Sequence, residues 1–298
     1  MKRESSPLVD SSADSSWSEC QFLTASVLPV RRACNLDCPF CFSKSSLSAL
    51  GSESTRWDGI DLDRYFAYSK ERGAKRLVIT GGGEPLLLPE VTVRVVSEAR
   101  RWFDEVACFT NGTYLTRELA LRLQDAGLSY LCYSRHHDND DACRLLMGVG
   151  APRLEEFFAA ADGLRVRATC VMSAGQIASL EDIDRYIVVL SGYGVKEYTF
   201  KHTYVAYDES VFGDSHQNSW AREHRVAVDP FGDSGTVIDS LPWGPKIRLI
   251  DHHKVCFYFE PDPHWEKENR LCRSINLLSD GSVYASLEDQ RSLLYRQT

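Results

Sequence analysis

Apolar positions along this chain switch between two spacings. Ala25 to Val30, Arg76 to Thr80 and Val106 to Phe109 are short apolar-rich runs of the kind that form strands. Between them apolar residues recur at helical spacing. Leu62, Tyr65 and Phe66 predict a helix over Asp61–Glu71, closed by Gly73. Val95, Val96, Ala99 and Phe103 line a second helix. Leu119, Leu123 and Ala126 line a third, with Thr116 as N-cap and Gly127 as its end. Tyr130 to Tyr133 predicts a fourth strand, Leu154 to Ala161 a helix, and Leu164 to Met172 a fifth strand. Ile183, Tyr186, Ile187 and Leu190 form a helical stripe that opens on a capping box, Ser179 with Asp182. Glu197 to Tyr204 predicts the sixth strand.

Strands alternating with helices over short connections imply an α/β fold with a parallel sheet, either rolled or doubly wound. In both arrangements the loops after the strands carry the chemistry. The expected organisation is a disordered leader over 1–20, a core over 21–204 and a C-terminal segment over 205–298 that closes over the active face. That last segment is rich in Asp, Gly, Pro and aromatic residues. Its clearest signal is a hairpin, Ile275 to Leu278 and Ser282 to Ser286 around Ser279-Asp280-Gly281.

Composition narrows the classes. The 298 residues are 43% hydrophobic and 26% charged, as in ordinary globular chains. No apolar run is long enough to span a bilayer and no apolar signal core opens the chain, so a cytoplasmic protein is expected. A net charge of −8 offers no footprint for a nucleic-acid polymer or an anionic membrane. Ten cysteines without a secretory signal point to metal binding or reactive chemistry. Seven are scattered and read as buried small hydrophobes. The other three are Cys34, Cys38 and Cys41, in C-x3-C-x2-C spacing directly after the first strand. Zinc would want a fourth protein ligand, and none lies nearby. A [4Fe–4S] cluster held by three cysteines leaves one iron open.

At the end of the next strand stands Gly82-Gly83-Glu84-Pro85. With the cysteine motif, and with Phe40 before its last cysteine, this stretch resembles the radical S-adenosylmethionine (radical SAM) superfamily over residues 25 to about 204. The resemblance implies a partial (β/α)6 TIM-like barrel, a cluster on Cys34, Cys38 and Cys41, and S-adenosylmethionine chelating the open iron. Gly82, Gly83 and Glu84 would meet the methionine amine through backbone carbonyls and a carboxylate, in the stretch closed by Pro85. The backbone around Phe40 would touch the adenine. It further implies one electron from a flavodoxin- or ferredoxin-like donor, cleavage to a 5′-deoxyadenosyl radical, and hydrogen abstraction from substrate.

Position alone adds Asn111 and Ser134 as candidate ribose or carboxylate contacts, and Arg167 as a bidentate partner for the methionine carboxylate. Each has a plain alternative: a turn residue for Asn111, a loop residue for Ser134, a solvent-facing strand residue for Arg167. The C-terminal segment resembles a degenerate twitch or SPASM region, because Ala285 and Ser286 stand where such modules place a cysteine. A single cluster is therefore expected, and with it a redox-neutral outcome: epimerisation, elimination or rearrangement of a small polar substrate such as a sugar, an aminosugar or a nucleotide. Cys256 is the candidate hydrogen-atom donor, with a packed core cysteine as the alternative. Lys201, His202, Tyr204, Arg135, His136 and His137 are candidate substrate contacts, or solvated loop residues. His252 and His253 beside Cys256 hint only weakly at zinc. A peptide-modifying maturase is the main rival, although only 33 residues precede Cys34, so a leader-binding module would be a separate protein. A non-catalytic Fe–S protein is disfavoured by the intact Gly-Gly-Glu-Pro.

Overall fold

A computed structural model describes residues 14–50, 57–208, 210–226 and 228–297. Strand β1 (Gln21–Leu28) leads into the cysteine loop. Then come α1 (Leu62–Glu71), β2 (Arg76–Ile79), α2 (Pro89–Ala99), β3 (Val106–Thr110), α3 (Arg117–Asp125) and β4 (Tyr130–Ser134). Helices α4 (Asp140–Met147) and α5 (Leu154–Ala160) precede β5 (Val166–Val171), α6 (Leu180–Ser191) and β6 (Glu197–Lys201). Beyond them lie α7 (His216–Glu223), β7 (Thr236–Ser240), β8 (Lys246–Ile250), β9 (His253–Tyr258), α8 (Pro263–Asn269), β10 (Leu271–Leu278), β11 (Ser282–Tyr284) and β12 (Leu293–Arg296).

Local signals set the helix starts. Thr116 and Ser179 accept the N–H groups of Leu119 and Asp182, as their capping patterns predict. Helix α4 was not expected, since its buried positions are only Cys143 and Met147, too short a stripe to stand out.

The strands form one sheet in the order β12-β11-β10-β1-β2-β3-β4-β5-β6-β9-β8-β7. Pairing is parallel from β10 through β9 and antiparallel at both ends. The segment after 205 is thus not a separate cover. Its strands extend both edges of the core sheet, and the expected hairpin forms as β10 and β11, pairing Asn276 with Tyr284. The N-terminal expectation also changes. Residues 1–13 lie outside the described residues, but Trp17 is fully buried and its indole N–H donates to Asp289 at 3.3 Å. That contact spans nearly the whole chain, which local composition does not reveal.

The two faces of the sheet differ in chemistry. Leu77, Val106, Leu131, Ala168, Phe200 and Val255 belong to the main apolar core, which also takes in buried residues of the helices. The alternate positions, among them Cys132, Arg167, Thr199, Lys201 and Cys256, face the other way. This inner face is concave. Glu260, just after β9, binds Lys201 at the end of β6 and also Arg273 of β10, although six strands separate β10 from β9 in the sheet. The sheet therefore curls into a partial barrel, with the cysteine loop at the C-terminal end of its parallel strands.

Candidate active site

Seven of the ten cysteines are buried, whereas Cys34 is exposed and Cys38 and Cys41 are half-buried. The loop that carries these three is held from several sides. The Asp37 N–H donates to the Met147 carbonyl at 2.9 Å, which seats the loop on the end of α4. Leu36 packs with Cys143 and Met147. Arg31, just before the loop, pairs with Asp280 in the hairpin turn at 2.5 Å. The Cys34 sulfur accepts the Leu36 N–H at 3.5 Å and the Asn111 side-chain amide at 3.7 Å. Burial pushes the Cys38 thiol well up, and the neighbouring Cys41 and Cys34 add to it. Three thiolates this close repel one another unless a cation joins them.

Among the described residues no three His, Cys, Asp or Glu side chains converge on a single metal ion. A cubane does not require that, since each cysteine takes a different iron. The donor set of three sulfurs on one loop, with N–H groups aimed at one of them, suits a [4Fe–4S] cluster.

The glycines after β2 have a steric reason. A Cβ on Gly82 would lie 1.7 Å from the Arg31 carbonyl oxygen, and one on Gly83 would lie 1.8 Å from that of Ala33. The Glu84 N–H donates to the same Ala33 carbonyl at 2.9 Å. Only glycine lets the two backbones approach this closely, so the Gly-Gly pair seats the cysteine loop. Pro85 opens the next short 3-10 turn, capped by Glu84.

Glu84 is engaged by protein donors. Its carboxylate is 2% exposed and faces inward, accepting from Thr110 Oγ1 at 2.6 Å, the Asn111 N–H at 2.8 Å and the Leu86 N–H at 3.1 Å. It braces the loops after β2 and β3. Asn111, beside Cys34 and hydrogen-bonded to Asn35 at 3.0 Å, belongs to the cysteine-loop surroundings. Phe40 packs edge-on to His136, with centroids 4.7 Å apart, and against Trp220 of α7 at 5.7 Å. Ser134 is half-buried at the end of β4.

Other candidates fall elsewhere. Arg167 is the second residue of β5, roughly 13 Å of strand below its C-terminal end at about 3.3 Å per residue. Its guanidinium Nε donates to Thr199 at 3.0 Å, so it does not stand among the loops where a methionine carboxylate would lie. Arg135 is fully committed to its own loop, donating to the His137 and Pro152 carbonyls and to Asp140. His136 Nδ1 accepts the Val171 N–H at 2.9 Å, and burial pushes its pKa down to about 3, so it is a neutral wall beside Phe40. His137 Nδ1 accepts the Asn139 N–H at 3.0 Å. His252 and His253 stand at the start of β9, opposite the cysteine loop. Cys256 pairs with Thr199, two residues before Lys201 on the same face, and burial lifts its thiol to about 11.

A cavity of about 520 Å³ opens at the C-terminal ends of β6 and β9, a size within the roughly 300–1,000 Å³ usual for small-ligand sites. His202, Tyr204, Tyr207, Phe257, Glu260 and Glu288 are among its walls, while Cys256 is not. Lys201 lies beneath, and burial with the nearby Arg273 and Arg167 lowers its pKa to about 7. The Tyr204 ring meets Phe42, the residue after Cys41, edge-on at 4.8 Å. The cavity therefore adjoins the cysteine loop. Glu288, Glu260, Tyr207 and Trp220 were not foreseen. They lie in the least periodic third of the sequence and reach the site through long-range contacts only.

The sequence pattern described as the Radical SAM superfamily matches residues 28–195. The chain belongs to the radical SAM superfamily. Radical SAM enzymes use a [4Fe–4S] cluster and S-adenosylmethionine, the cofactors that the cysteine loop and the glycines beside it suit. Over 151 residues the chain is 30% identical to the GTP 3′,8-cyclase of Aliarcobacter butzleri (strain RM4018), covering 49% of this chain and 46% of that protein. It thus spans about half the length of this curated relative. The fold is also similar to Streptococcus suis SuiB bound to S-adenosylmethionine, with a TM-score of 0.56 at 13% identity over 90% of this chain and 61% of that one. SuiB bound to its precursor peptide SuiA gives a TM-score of 0.55 at 13% identity, over 90% and 60%. Among the described residues no helix is long and apolar enough to cross a membrane.

Proposed function

We propose that this chain cleaves S-adenosylmethionine reductively and removes a hydrogen atom from a small polar substrate held in the cavity above Lys201. Epimerisation, elimination or rearrangement would follow. The observation that carries this reading is the contact between Tyr204 and Phe42, which sets the cavity wall against the residue after Cys41. When bound, the cluster and S-adenosylmethionine supply the 5′-deoxyadenosyl radical.

The chain's own residues do the rest. Cys34, Cys38 and Cys41 hold the cluster, with the Leu36 N–H and the Asn111 amide tuning Cys34. Gly82 and Gly83 offer backbone to the methionine amine, and Glu84 and Pro85 fix that backbone from behind. Phe40 and the neutral His136 ring form a wall at the adenine side, with Ser134 available to the ribose. The electron comes from a flavodoxin- or ferredoxin-like donor, for which exposed Cys34 marks an approach to the loop. Buried Cys256 remains protonated at neutral pH, as a hydrogen-atom donor must, but it lies outside the cavity's walls.

Anaerobic reconstitution tests the assignment. About four irons per chain are expected. About eight would contradict the single-cluster reading, and iron retained by Cys38→Ala would contradict the ligand set.

A further inference from the structure

We infer that the cavity receives an ammonium group of the substrate, with the Glu288 carboxylate as its acceptor; this rests on the reading of that cavity as the substrate site. Two buried carboxylates line the cavity and their circumstances differ. Glu260 is satisfied by protein: Lys201 at 2.9 Å, Arg273, and the Tyr258 hydroxyl at 2.7 Å. Glu288 is 6% exposed and accepts from the Tyr204 hydroxyl at 2.9 Å. No ion pair joins it to a cation among the described residues, because Lys201 and Arg273 are both engaged by Glu260.

Arg273 and Lys201 lie near Glu288 but are both ion-paired to Glu260, so the Glu288 carboxylate lines the cavity without an ion pair of its own. Such a buried carboxylate favours a cation that can pair with it directly. Burial pushes Glu288 up to about 7, with Arg273, Lys201 and the Tyr204 hydroxyl only partly offsetting it. A ligand cation would restore the ionised form. The walls suit one. The Tyr207 hydroxyl donates to the Glu288 backbone carbonyl at 3.3 Å, which keeps that ring beside the carboxylate. With Tyr204, Phe257 and Phe259 it supplies aromatic surface of the kind that attracts cations. Asp262 adds a further acid to the lining, whereas Asp229 is ion-paired with Arg248 at 3.1 Å. The lining cations are Arg225, whose Nε donates to His202 Nε2 at 3.1 Å, and Lys246. The substrate class this selects is an amine-bearing one, as against a phosphate or a carboxylic acid.

The test uses reconstituted enzyme with S-adenosylmethionine present, so that the methionine site is filled. Three probes are compared by ligand-observed NMR: n-butylammonium, N-butylacetamide and butyrate. The inference predicts that n-butylammonium binds at least about tenfold tighter than the other two and that Glu288→Gln removes the preference. Equal binding of the ammonium and the amide, or a preference that survives in Glu288→Gln, overturns it. Should that variant fail to fold, Glu288→Asp is expected to weaken n-butylammonium at least about threefold while leaving the amide unchanged, and equal affinity contradicts the inference. Formation of 5′-deoxyadenosine by the wild type separates the two levels. Cleavage without ammonium preference overturns only this inference, and no cleavage at full iron loading overturns the reading beneath it.

Discussion

The Glu84 carboxylate accepts the Asn111 backbone N–H at 2.8 Å, so a single buried side chain ties the loop after β2 to the loop after β3. Asn111 in turn reaches the Cys34 sulfur, and the Glu84 N–H holds the carbonyl of Ala33. The Gly-Gly-Glu-Pro stretch is thereby a structural support for the cysteine loop.

Glu84→Ala leaves the donors of Thr110, Leu86 and Asn111 without their buried acceptor. A loss of about 3 kcal/mol in stability is expected, measurable by urea denaturation of the apoprotein. A change well below about 1 kcal/mol would mean that water replaces the carboxylate.

Gly83→Ala places a Cβ 1.8 Å from the Ala33 carbonyl oxygen, so the cysteine loop must shift. Such overpacking costs about 1–3 kcal/mol and displaces Cys34. Iron per chain after reconstitution should fall clearly below wild type while the secondary structure seen by circular dichroism persists. Normal iron content would show that the loop tolerates the shift.

The cysteines separate into two groups. Cys34→Ala, Cys38→Ala and Cys41→Ala should each lose most of the iron. Cys256→Ala should retain it, since that thiol sits on β9 within the inner face and pairs with Thr199. Iron loss in Cys256→Ala would place a cluster where none is expected.

Glu288 makes stability depend on pH. Its folded pKa, about 7, lies above the ordinary value of 4.5, with Arg273, Asp262, Lys201 and the Tyr204 hydroxyl facing it. The native state therefore holds the proton more tightly than the unfolded chain. The benefit is complete below about pH 4.5 and is lost as pH rises to about 7. Wild type should lose up to about 3 kcal/mol against Glu288→Gln over that window, read from paired denaturation curves. A constant difference would contradict burial of an ionisable carboxyl at this position.

Much of this architecture is legible in short stretches of sequence. The capping residues Thr116 and Ser179 and the stripe at Ile183, Tyr186, Ile187 and Leu190 depend on neighbours a few residues away, so they read directly. The cysteine motif and the glycines also declare themselves, because their chemistry admits few other residues. What stayed hidden depends on curvature. Glu260 meets Arg273 only once the sheet has curled, and Glu288 meets Tyr204 across 84 positions. Arg167 was misplaced for a related reason: its place on a strand was evident, but its height above the barrel floor follows from where β5 begins. Glu84 was expected at the methionine amine by motif alone, and two of the donors that hold its carboxylate, Thr110 and Asn111, come from another loop that local pattern does not reveal.

The most direct measurement is the yield of 5′-deoxyadenosine from anaerobically reconstituted protein given dithionite and S-adenosylmethionine. Wild type is expected to form it and Cys38→Ala is not. Full iron loading in wild type with no 5′-deoxyadenosine would contradict the claim that this loop and the glycines beside it form a site for S-adenosylmethionine cleavage.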